Sequence, residues 1–285
     1  MDDQAAALRA LAGRFTAGGV TLESSGGLRR VVLGGGAVAS GTTTVALGLA
    51  YLLSKQGQKV LLVDATGRRG DLVRLCNLDE RRFLRGQESG NNKNEWRQKI
   101  STVEENLDFL LLEGREKLEP VWQENGLVQM KRLANEYDSL LVDVGESKGG
   151  IPAFWGRWSD WTLFTCLPKN KDLIDLYAKI KLLLSVKRSS KIATLFNQVC
   201  QENVAELQGR LNHSCLHFLG FAPEGLGGLS WDQTVSRSSR LRVPYVVAEP
   251  EGLVTQELDE SLRRWLLLAG EKPLDKAKSA TLKIA

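Results

Sequence analysis

Val31-Val32-Leu33-Gly34-Gly35-Gly36-Ala37-Val38-Ala39-Ser40-Gly41-Thr42-Thr43-Thr44 is the stretch on which the reading of the fold turns. An apolar run leads into glycines, the glycines into hydroxyls, and the hydroxyls into a helical pattern over Thr43–Ser54. A strand, a Gly-rich turn and a helix in that order aim backbone N–H groups at an anion, and the helix dipole adds to their field. The stretch contains no lysine. The shape of a phosphate-binding loop is therefore written here without its usual cation.

Outward from this loop the pattern alternates. Apolar runs at Arg30–Leu33, Val60–Asp64, Leu107–Leu112, Ser139–Val144, Thr162–Leu167, Ile192–Val199 and His217–Ala222 read as strands. Amphipathic stretches at Thr43–Ser54, Leu118–Tyr137, Lys171–Val186, Glu202–Leu211 and Val254–Ala269 read as helices. Continuous apolar strands separated by helices predict an α/β fold, with a mostly parallel, doubly wound sheet covered on both faces. Two of the strands end in a carboxylate, Asp64 and Asp143. A carboxylate at such a strand end can position magnesium beside a bound phosphate.

The chain divides into an arm at 1–29, one domain at 30–269 and a polar tail at 270–285. The arm opens with a short helical stripe of Leu8, Leu11 and Phe15, capped by Asp2 or Asp3 and broken by Gly18-Gly19 and Ser24-Ser25-Gly26-Gly27. So short a helix is marginal on its own, because nucleation is costly. Gln87–Asn94 is polar and reads as a loop.

Composition narrows the function classes. The 285 residues suffice for a sizeable core, and a net charge of +4 spread along the chain does not single out nucleic acid as a partner. No apolar run has the length of a membrane span, and the N-terminus lacks the apolar core of a secretion signal. A cytoplasmic protein is expected, reaching the inner membrane only through partners. Cys76, Cys166, Cys200 and Cys215 show no metal spacing, so they read as ordinary thiols even with His213 and His217 nearby.

By this loop, the strand-end Asp64 and Asp143, and Asn197 in Leu195-Phe196-Asn197-Gln198, residues 30–269 resemble the MinD/ParA group of P-loop ATPases, which carry a Lys-Gly-Gly-x-Gly-Lys-Thr-Thr loop. The resemblance implies a site for ATP or ADP with Mg built from Gly36, Gly41, Thr42, Thr43 and Thr44, with Thr43 and Asp143 on the metal. It implies catalytic roles for Asp64 and Asp143, an adenine contact at Asn197, and a matching proline turn at Pro223. Thr42 falls on the P-loop lysine, Ala37 on the additional lysine that reaches across the family's ATP-driven dimer, and Thr66 on a second acidic residue linked to the attacking water. Removing one preorganised stabiliser of transition-state charge lowers a rate by about 100- to 1,000-fold. The expectation is weak or absent ATPase activity on a degenerate loop. It also implies a monomer, or a homodimer formed without the nucleotide switch. An active enzyme remains the competing expectation if Arg68, Arg69 or Lys148 supplies the missing charge.

Asp3-Gln4-Ala5, followed by Leu8-Arg9, matches the DQAxxLR signature at the start of FlhG (also called FleN), a MinD-like group that controls flagellar number and placement. That resemblance implies docking of the arm on FlhF, an SRP-type GTPase, and stimulation of its hydrolysis through Gln4, with other flagellar components as further partners. A weak helix that orders only on its partner suits this role. The Gly41-Thr42-Thr43-Thr44 run is also similar to BcsQ, which implies an accessory role in polysaccharide synthesis. The tail past Pro273 offers only Leu274, Leu282 and Ile284 as bulky apolar groups, a poor membrane anchor. Trp155, Trp158 and Trp161 read either as an interface or as core.

Overall fold

In the computed structural model, residues 29–66, 71–78, 97, 99–112, 128, 130–146 and 150–270 are described. The signature Asp3, Gln4, Ala5, Leu8 and Arg9, the 87–94 loop, the candidate cations Arg68, Arg69 and Lys148, and the tail beyond 270 lie outside the described residues.

Eight strands form one sheet: β1 Arg30–Gly35, β2 Val60–Asp64, β3 Ser101–Glu104, β4 Leu107–Leu111, β5 Ser139–Asp143, β6 Trp161–Cys166, β7 Lys191–Asn197 and β8 Glu224–Leu229. Their order is β3-β4-β2-β5-β1-β6-β7-β8, and every pairing is parallel except that of β3 with β4. All residues of β1, β2, β5 and β6 are buried. These are the strands whose sequences run apolar without alternation, as a sheet covered on both faces requires.

Alternate residues of each strand feed opposite cores. Val31, Leu33 and Leu62 join one cluster with α1 (Thr42–Lys55) and the terminal helix α8 (Leu253–Ala269), around Leu258, Leu262 and Trp265. Val32, Leu61 and Val63 join the other, with α3 (Ala153–Trp158), α4 (Asn170–Val186) and α5 (Val204–Leu219). The short helices α2 (Asp71–Leu75), α6 (Gln233–Arg240) and α7 (Tyr245–Ala248) are also described. The tryptophans are core. Trp155 packs edge-on to Trp158 with ring centroids 5.8 Å apart, and Trp161 does the same with Trp265 at 6.0 Å. Beneath this packing the buried pair of Arg30 and Asp160, with Nε to Oδ2 at 2.8 Å, ties the start of β1 to the turn before β6.

Two local readings are corrected. His217–Ala222 is not a strand: α5 continues to Leu219 and ends at Gly220, whose φ of 63° suits a left-handed cap. The last strand is instead Glu224–Leu229, with three glycines that argue against a strand when read alone. Close approach explains them. A Cβ on Gly225 would stand 2.8 Å from Gln208, and one on Gly228 would stand 2.5 Å from Val199. The short edge strand Ser101–Glu104 was not expected either; it is held by antiparallel pairing to β4.

Candidate functional site

The loop leaves β1 at Gly35 and re-enters regular structure at Thr42, along the edge where the parallel strands end. Gly41 precedes α1 with φ 79°, in the left-handed region that favours glycine. Val45 N donates to Gly41 O at 3.0 Å, which starts the helix. Ala39 also has a positive φ, 61°, at a place where the resembled loop has glycine. A side chain there costs about 1–2 kcal/mol of backbone strain.

Parallel pairing sets Asp64 opposite Asp143, so the two strand-end carboxylates are neighbours. Asp143 Oδ2 accepts from Thr43 Oγ1 at 2.7 Å, and its Oδ1 accepts from Gly145 N at 2.8 Å. Asp64 Oδ1 accepts from both Thr66 N and Thr66 Oγ1, at 2.9 and 2.7 Å. Thr66 thus fixes a carboxylate instead of supplying one. Thr43 and Asp143 together have the oxygen chemistry of a magnesium corner.

The phosphate corner is different. Thr42 is 2% exposed, and its hydroxyl closes a triangle with Ser40 and Thr165 at 2.7–3.1 Å. It therefore points into protein, away from where a P-loop lysine would meet a phosphate. Ala37 is buried and short. The described cation nearest in chemistry is Lys179 of α4, whose ammonium donates to Gly35 O at 2.7 Å and Gly36 O at 2.9 Å. Burial lowers its pKa, while Asp175 and Glu146 pull it back up. Its charge is spent on backbone carbonyls. On the other side of the loop, Ser40 N donates to Glu146 Oε1 at 3.1 Å.

Asn197, at the end of β7, donates through Nδ2 to Ser40 O at 2.9 Å, and that nitrogen lies where a Cβ on Gly41 would stand. The side chain is folded onto the loop. Beside it a cavity of about 170 Å³ is lined by Thr44, Gln198, Ser230, Trp231 and Tyr245 among others. Small-ligand sites more usually measure roughly 300–1,000 Å³. Pro223 takes no part, because it precedes β8, at the end of the sheet opposite to the loop.

The structure thus brings Gly36, Gly41, Thr42, Thr43, Thr44, Asp64, Asp143 and Asn197 to one edge and leaves Pro223 away from it. The residues fit magnesium at Thr43 and Asp143. For a triphosphate the loop offers no uncommitted cation among the described residues, and a carboxylate sits on one of its amides. Sequence reasoning missed Lys179, Glu146 and Thr165. Lys179 had a signal: it interrupts the apolar stripe Leu173, Leu176, Ile180 and Leu183 on the buried face of α4. Burial raises the thiols of Cys76 and Cys166 to about 12, so neither is a nucleophile here. Among the described residues no group of three or more His, Cys, Asp or Glu could hold a metal, and no helix is long and apolar enough to cross a membrane.

Residues 28–163 match the family model described as "Cellulose biosynthesis protein BcsQ". No curated protein matches the sequence. Among solved structures, a chain of the MinC:MinD cell division complex of Aquifex aeolicus superposes with TM-score 0.65 at 19% identity, over 87% of this chain and 98% of that one. The septum site-determining protein MinD of Pyrococcus horikoshii, complexed with Mg-ADP, gives 0.63 at 18% identity, over 85% and 97%. A ParA family ATPase of Chlorobium tepidum gives 0.59 at 16%, over 84% and 99%. From the register of the sheet to the loop before α1, this chain has the fold of the MinD/ParA P-loop NTPases.

Proposed function

We propose that this chain is a regulatory binding protein on a MinD/ParA fold, with weak or absent ATPase activity, acting in the manner of FlhG on an FlhF-type GTPase. The observation that carries the first half is Thr42: the residue at the lysine position is buried in a hydroxyl triangle. What the chain offers besides the described sheet is the sequence of residues 1–29. The second half is supported by that arm's Asp3, Gln4, Ala5, Leu8 and Arg9. Leu8 and Leu11 would anchor the helix on the partner, and the Gln4 amide would orient water or stabilise the transferring phosphoryl group in the partner's site. The test mixes full-length protein with a cognate FlhF-type GTPase and measures GTP turnover. Stimulation that Gln4→Ala abolishes, with the melting temperature unchanged, is the expected result. No stimulation by the intact protein refutes the activator role.

A second reading is favoured by the family-model match over 28–163. In it the same fold serves as an accessory protein of polysaccharide synthesis, in the manner of BcsQ. Co-purification with a membrane glycosyltransferase, and no effect on GTP turnover, would select it.

A further inference from the structure

The loop's polar backbone is engaged from within the chain. Ser40 N meets Glu146 Oε1 at 3.1 Å, Ser40 O meets Asn197 Nδ2 at 2.9 Å, and the carbonyls of Gly35 and Gly36 hold Lys179. Glu146 follows directly on the segment that leaves β5, whose Gly145 carbonyl accepts from Gly35 N at 3.0 Å. Its approach depends on the bare backbone of Gly35, where a Cβ would stand 2.8 Å from Glu146 Cγ. Lys179 feels the Glu146 charge, so the loop lies between a cation held by its carbonyls and an anion held by one of its amides. N–H groups of a Gly-rich loop before a helix are the groups that bind phosphate oxygens. A carboxylate accepting from such an N–H makes a charge-assisted bond of the same kind.

We propose that Glu146 is the specificity-determining residue of this loop: its carboxylate is the loop's resident anion and excludes the phosphates of a nucleotide. This rests on the reading of the fold as a scaffold without effective hydrolysis, and names what keeps the ligand out. An arriving diphosphate must displace Glu146 from Ser40 N or sit against it. Displacement leaves the carboxylate beside the incoming charge, and the one described cation at the loop is already committed to two carbonyls.

The test titrates full-length wild type, Glu146→Gln and Glu146→Ala with Mg-ADP by calorimetry. Glu146→Gln keeps the acceptor and the shape and drops the charge. Both variants are expected to bind at least roughly tenfold more tightly than wild type, since a like charge in contact with a phosphate is worth more than that factor. Glu146→Gln keeps an acceptor for Ser40 N and should melt close to wild type, whereas Glu146→Ala leaves that buried N–H without its partner and should stay folded but melt lower. If both fold normally and bind no better than wild type, Glu146 is not the barrier. Wild type binding as tightly as the variants overturns the proposal too, while leaving the scaffold reading intact if the bound nucleotide is not turned over. Rapid turnover of Mg-ATP by wild type would instead overturn the scaffold reading itself.

Discussion

Thr42 and Thr43 are consecutive residues with the same side chain in opposite surroundings. Thr43 is half-buried and donates to a strand-end carboxylate, Asp143. Thr42 is closed inside a ring of hydroxyls. The metal half of the site keeps hard oxygen groups in a usable place. Among the described residues the phosphate half offers no uncommitted cation, and hydroxyls fill it from within. A single residue step thus separates a corner kept for coordination from a corner filled from within the chain. A loop's outline and its electrostatics can change independently: glycines and helix start fix the first, side chains from β6, α4 and the Glu146 segment fix the second.

The comparison breaks most sharply at Lys179. Replacing it with Ala leaves two buried carbonyls without their charged donor and removes its packed stem, and should cost about 3–5 kcal/mol of stability. Urea unfolding measures it. A loss below about 1 kcal/mol would show that the sealed corner does not depend on this lysine.

Alkaline pH is the next lever, since a thiol stands near each corner: Cys76 feels Asp64, and Cys166 feels Lys179. Both are raised from 9.0 to about 12 in the folded state. Above pH 9 the unfolded chain releases protons that the folded chain retains, so stability falls as pH rises from 9 towards 12. Each thiol contributes about 1.4 kcal/mol per pH unit in that window. Of the stability lost between pH 8 and pH 10 in chemical denaturation, about 3 kcal/mol should belong to these two thiols, and Cys76→Ala should remove about half of that share. A flat profile contradicts the burial of these thiols.

The two threonines can be compared directly. Thr42→Val should cost about 1 kcal/mol, because Ser40 and Thr165 keep each other at 3.0 Å when the third hydroxyl goes. Thr43→Val should cost more, about 2–3 kcal/mol, because Asp143 is fully buried and its charged Oδ2 loses a donor. Equal large losses would erase the distinction drawn between the corners. Ala39→Gly should have the smallest effect, and of opposite sign, a gain of at most about 1 kcal/mol from relieved backbone strain.

Much of this was legible in the sequence, for physical reasons. Continuous apolar strands ending in Asp64 and Asp143 announce a parallel sheet with carboxylates at one edge, and their register makes them neighbours. The loop announces itself by its glycines and hydroxyls. What could not be read was which distant side chains enter it. Thr165 lies 123 residues from Thr42, and Lys179 lies 144 from Gly35. A threonine in a strand and a lysine in a helix give no local sign of such a destination; only the apolar stripe around Lys179 was a hint. The His217–Ala222 error had a local cause. Aromatic and aliphatic residues at a helix end imitate a strand, while the true strand owes its glycines to contacts with Gln208 and Val199 that lie elsewhere in the chain.

Isothermal titration of full-length wild-type protein with Mg-ATP reads directly whether the phosphate corner is closed. A closed corner gives dissociation constants weaker than about 1 mM, an interaction of no more than about 4 kcal/mol. A micromolar constant, with nucleotide held at Gly41 and Thr42 by a lysine or arginine, would contradict it.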